Sequence, residues 1–141
     1  MTQANVSHKR KHLLGFLLPF LMLSLASLAC DLEQNLGELT NEPQTFEARE
    51  GWEYDWNAPV TPGNEYEVTL ALADANTKPI YVIIDAITEV LCEECYSSIE
   101  GEVTVDGLSI TFTASESGRA IIRVYVLAGG GRSIIQIRDT P

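Results

Sequence analysis

The stretch of this chain best equipped for chemistry is "LCEECY" at residues 91–96, where Cys92 and Cys95 stand with two glutamates between them. Two thiols at that spacing can hold a metal, cycle between dithiol and disulfide, or form a fixed cross-link. A zinc site normally draws on about four Cys or His ligands. The sequence has three cysteines and two histidines, and Cys30, His8 and His12 all fall in its first thirty residues. A reactive dithiol needs a cation or a helix N-terminus to stabilise its thiolate, and Glu93 and Glu94 act in the opposite sense. Two further sets bear chemistry. Trp52, Tyr54 and Trp56, with Tyr96 elsewhere, could offer flat rings to sugars. Asp85, at the end of an apolar run, could ligate calcium.

The elements that position these residues begin after a leader. Lys9, Arg10 and Lys11 precede an uncharged apolar run over residues 13–29, and small residues close it. That order is the one an export signal requires, and the run sits at the lower limit for spanning a bilayer. Its ending "SLAC", with Ala29 before Cys30, resembles the lipobox of bacterial lipoprotein precursors. The resemblance implies a signal peptide over residues 1–29, cleavage before Cys30 and a diacylglycerol on its thiol. Cleavage without lipid and retention as an uncleaved anchor are the other readings of this leader. All three put the remainder outside the cytoplasm, and the lipidated form is anchored to the cell membrane. The remainder carries twenty acidic against six basic residues, a net charge of −14. Such a surface repels phosphate backbones, so nucleic acid is not an expected partner.

Residues 30–44 are polar and acidic, with leucines only at Leu32, Leu36 and Leu39, and are expected to form a solvated tether. From residue 45 the hydrophobic period is two. Trp52, Tyr54 and Trp56 alternate with Glu53, Asp55 and Asn57, and Tyr66, Val68, Leu70 and Leu72 alternate with polar residues. "PIYVIIDAI" is apolar on both faces up to Asp85, as for a strand in the middle of a sandwich. In "EVTVDGLSITF" the Asp106-Gly107 turn predicts a hairpin, with Val105 opposite Leu108. "GRAIIRVYV" and "RSIIQIR" add two strands. The expected fold of residues 45–141 is all-β, an antiparallel jelly-roll-like sandwich of seven or eight strands.

The succession "YDWNAPVTPGNEYEVTLAL", "PIYVIIDA" and "ITFTASESGRAIIRVYVLAGGGRSIIQI" resembles the bacterial pre-peptidase C-terminal domain over roughly residues 45–139. That family is a small β-sandwich appended to secreted proteases. The resemblance rests on hydrophobic patterning and implies the fold. Where the family has a Gly- and Asp-rich loop, this chain has "ITEVLCEECYSSIEGE", so the family's calcium sites do not carry over.

Outside the cytoplasm a Cys92–Cys95 disulfide is the expected state, with free thiols, an intermolecular link or a metal shared between chains as alternatives. With both histidines in the leader, no Ser-His-Asp or Cys-His arrangement can form in the remainder, and no catalytic residue or cofactor is expected. The aromatic stripe is expected to face the core, because the residues between its members are polar. Asp85 is expected to be a strand-end turn residue, with calcium as the lesser alternative. The function that emerges is a non-catalytic accessory or binding module of the cell envelope, with the membrane, an envelope protein or a polysaccharide as partner. The alternatives are a carbohydrate-binding module using Trp52, Tyr54, Trp56 or Tyr96, and a calcium-dependent adhesion module.

Overall fold

A computed structural model describes residues 33–141. The leader and Cys30 lie outside the described residues. Nine strands follow in chain order: β1 (Glu33–Glu38), β2 (Gln44–Arg49), β3 (Glu53–Pro59), β4 (Glu65–Leu72), β5 (Ile80–Ile87), β6 (Tyr96–Val103), β7 (Leu108–Thr113), β8 (Arg119–Ala128) and β9 (Gly130–Thr140). They form a five-stranded sheet ordered β1-β3-β8-β5-β6 and a four-stranded sheet ordered β2-β9-β4-β7. Among the described residues, β5 and β6 form a hairpin within one sheet, and every other step from β2 onward crosses between layers. Eight antiparallel strands wound in this way are a jelly roll.

Alternation decides which side chains meet between the layers. Val68 and Leu70 of β4, Val82 and Ile84 of β5, Ile122 and Val124 of β8 and Ile135 of β9 are all fully buried. Tyr54 and Trp56 of β3 lie in the same core, and Phe46 of β2 reaches across to them at ring separations of 4.9 and 5.1 Å. Aromatic pairs at such separations add to the gain from burial. The Tyr54 hydroxyl donates to the Glu47 carbonyl at 2.7 Å and accepts from the Arg49 N–H at 3.1 Å, so its polar end is satisfied.

Two expectations are corrected here. Residues 33–44 are not a solvated tether. Their first six form β1, which runs parallel to β3 at the edge of the five-stranded sheet, and Leu39 is completely buried. Leu39 N–H donates to the Asn57 carbonyl at 2.8 Å, and the Gln44 amide donates to the Glu38 carbonyl at 2.7 Å. The register explains why the pattern is hidden. Between the pairs Asn35–Asp55 and Glu38–Asn57, three steps on β1 match two on β3, with Gly37 at φ +89°. The bulge breaks the alternation that would announce a strand.

The second correction concerns the expected hairpin over residues 102–112. β6 pairs with β5 in one sheet, whereas β7 pairs with β4 in the other. The Asp106-Gly107 turn therefore passes the chain from one layer to the other, and Val105 is exposed. The Gly107 N–H donates to the Thr104 carbonyl at 3.2 Å, and Gly107 takes φ +88°. The Thr104 carbonyl also accepts from Leu72 N–H at 3.0 Å, which ties the crossing to β4.

Candidate functional site

The outer face of the five-stranded sheet gathers groups that the core does not use. Strand register places Asn35, Asp55, Arg123, Asp85 and Ser98 in one row across β1, β3, β8, β5 and β6. The adjacent row is Glu33, Glu53, Tyr125, Ile83 and Glu100. On the far side of the polar row lie Asn57, Ile121, Ile87 and Tyr96. Tyr81, two positions before Ile83, stands diagonal to Tyr125. Tyr81, Tyr96 and Tyr125 expose between 38% and 48% of their surface, so three rings stand on one sheet face.

The polar row is fixed by charge-assisted hydrogen bonds. Arg123 donates through Nε and Nη2 to the two oxygens of Asp55, each at 2.9 Å, and Nε also lies 2.9 Å from Glu53 Oε1. A bidentate contact of this kind sets the guanidinium plane as well as its charge. It also holds the Arg123 pKa well above its usual range, chiefly through the Asp55 hydrogen bonds. Glu53 receives only a share of that cation. Burial pushes its pKa up, Arg123 offsets this in part, and Asp55 and Glu33 push it further. Across the sheet Ser98 Oγ donates to Asp85 Oδ1 at 2.6 Å. The Asp85 carboxylate facing the Tyr96 hydroxyl raises the tyrosine's pKa.

At one end of the sandwich, residues 88–95 leave β5 and return into β6. Cys92 and Cys95 are joined by a disulfide, with their Cα atoms 5.2 Å apart, and residues Glu93–Cys95 form one 3-10 turn. The base of the loop is tied at buried Thr88, whose N–H and Oγ1 both donate to the Cys95 carbonyl, at 2.8 and 3.1 Å. Ser115 Oγ and Ser117 Oγ each donate to the Thr88 carbonyl at 2.8 Å.

The residues singled out in the sequence fall in different places. Tyr54 and Trp56 are core residues, and Trp52 is half-buried, with its ring 6.4 Å from Tyr54 and the Arg49 guanidinium 5.3 Å above it. A sugar platform built on that stripe is therefore excluded, because two of its three rings are in the interior. Tyr96 alone of the four aromatic candidates stands exposed. Asp85 is not a strand-end turn residue: it lies within β5, where it pairs in register with Arg123 and Ser98. The carboxylates that do converge among the described residues are Glu33, Glu53 and Asp55, and Arg123 is paired with the last two. Cys30 lies outside the described residues.

Sequence reading missed Tyr81, Tyr125 and the Asp55–Arg123 pair. The signal was present as one Arg within "AIIRVYV" and one Asp within "EYDWN", two strands that prove to be neighbours.

Compared with known proteins, the chain matches no family model and no curated protein. Solved structures with a related arrangement include PliG of Aeromonas hydrophila, a periplasmic inhibitor of g-type lysozyme, at 10% identity and TM-score 0.48, covering 77% of this chain and 99% of that one. The pre-peptidase C-terminal domain of collagenase from Bacillus anthracis is similar at 9% identity and TM-score 0.46, over 75% of this chain and 94% of that one. The TmCBM61 structure in complex with β-1,4-galactotriose is similar at 15% identity and TM-score 0.42, over 72% and 67%. These likenesses lie in strand arrangement alone.

Proposed function

We propose that this chain is a non-catalytic binding module of the cell envelope, held at the membrane through Cys30, and that the outer face of its five-stranded sheet takes a neutral polysaccharide. The observation that carries the reading is the set of three exposed tyrosines, Tyr81, Tyr96 and Tyr125, around a hydrogen-bonded row of fixed polar groups. Sugar rings pack their apolar faces on aromatic rings, and their hydroxyls need donors and acceptors at set positions. Tyr81 and Tyr96 lie on neighbouring strands and are offset by about 20 Å along them at ~3.4 Å per residue, room for several sugar units. The acids on this face, which outnumber Arg119 and Arg123, oppose anionic polymers.

The Cys92–Cys95 disulfide fits an oxidising compartment.

Affinity electrophoresis in gels containing β-glucan, xylan or galactan tests the sugar reading. At least one polymer should retard the protein, and the Tyr81→Ala/Tyr125→Ala variant should lose that retardation by at least about tenfold in affinity. Thr111→Ala, on the other sheet, should leave it unchanged. Failure of all three polymers, or retardation indifferent to the tyrosines, sinks the proposal.

A further inference from the structure

We propose that the disulfide-clipped loop, residues 88–95, together with the adjoining end of the five-stranded sheet's outer face, is a docking knob for a basic protein, displaced along β5 from Tyr81. Leu91 is 96% exposed and Val90 78%, the two most exposed large hydrophobic residues among those described. They make no contribution to the core and, adjacent in the chain, form one apolar tip. Nor are they a loose tip. The disulfide closes the loop, Thr88 is bonded to Cys95 across its base, and Ser115 and Ser117 hold the Thr88 carbonyl. An apolar pair fixed in this way meets a partner without the entropy loss of ordering a free loop.

A recess adjoins the knob. Ile87, Val90, Ala120 and Ile121 give a cleft of about 250 Å³ its mostly apolar lining, to which Glu89 and Arg119 also contribute. It is large enough for one aliphatic or aromatic side chain. Knob and recess together make a two-part apolar contact of the kind that anchors a protein interface.

Charge selects the partner. Glu89 and Glu94 are exposed on either side of the apolar tip. A second copy of this chain would bring the same acids against them, and anionic lipid headgroups carry the same sign. A protein surface with an apolar pocket among lysines or arginines is complementary in both respects.

Panning the full chain, purified in detergent, against a random peptide library displayed on phage tests the proposal. The synthesised winners should pair an aliphatic or aromatic anchor with Lys or Arg, and their Kd should rise at least tenfold in the Val90→Ser/Leu91→Ser variant. Both positions are exposed, so that variant folds. Raising the salt should weaken binding. Cys92→Ser/Cys95→Ser should weaken it several-fold through lost pre-organisation, while Tyr81→Ala/Tyr125→Ala should leave it intact, which separates this contact from the sugar-binding region around Tyr81 and Tyr125. Four outcomes overturn the proposal: no peptide selected, winners lacking basic residues, binding indifferent to Val90 and Leu91, or a dimer or phosphatidylglycerol-vesicle association that the same double variant abolishes.

Discussion

The two outer faces of this sandwich are laid on the same strand geometry and dressed differently. On the four-stranded sheet, β4 and β7 turn Glu65, Glu67, Thr69, Ser109, Thr111 and Thr113 outward, and β9 adds Gln136 and Arg138. Polar and β-branched residues suit a half-solvated sheet and ask for no further explanation. The five-stranded sheet carries Tyr81, Ile83, Ile87, Ile121, Tyr96 and Tyr125 on its outer side, with an arginine locked between carboxylates. The exposed rings and aliphatic groups of the decorated face are what the proposed binding site rests on.

The largest effect that sharpens this contrast comes from β1, which extends only the decorated sheet. Leu39→Ala removes a completely buried side chain and should cost about 3 kcal/mol, read by denaturant unfolding as a lower midpoint. A loss below about 0.5 kcal/mol would return residues 33–44 to the status of a tether. Next comes the ion cluster. Arg123→Met leaves the carboxylates of Asp55 and Glu53 facing each other and should cost about 1–2 kcal/mol, discounted because the arginine is about one-third exposed. Arg138→Met on the plain face should stay within about 0.5 kcal/mol. Equal losses at the two positions would erase the distinction between the faces.

The smallest effect is a pH dependence. Because the folded state raises the Glu53 pKa above its ordinary 4.5, the folded chain holds that proton more tightly than the unfolded one. The associated stability is fully present below about 4.5 and is lost as pH rises through the higher folded value. Glu53→Gln removes that loss, so the variant should melt on the order of 2 °C higher than the parent at neutral pH and match it near pH 4. A parent whose melting temperature rises relative to the variant over that range contradicts the direction given for Glu53.

The sandwich was legible from alternation in β3 and β4, since a period of two survives wherever a half-buried strand is regular, and from the run in β5 that is apolar on both faces. It failed at β1, where the bulge at Gly37 sets Leu36 and Leu39 three apart, and at Asp106-Gly107, because a crossing between layers and a hairpin share one local pattern. The candidate surface was harder to see. Tyr81 and Tyr125 belong to strands with apolar residues on both faces, so only pairing shows which way they point. Asp55 and Arg123 are 68 positions apart, and no local signal joins them. Tyr96 was found by residue type, and the cysteine pair by spacing and compartment.

β1 also decides how this protein behaves in a crowd. Without it, the sheet would end at β3 and present a free ladder of backbone groups beside Tyr54 and Trp56, a template on which a neighbouring chain could stack. A short strand bearing Glu33 and Glu38 and broken by a bulge covers that border and is itself a poor template, so this edge of the sheet discourages stacking by a neighbour.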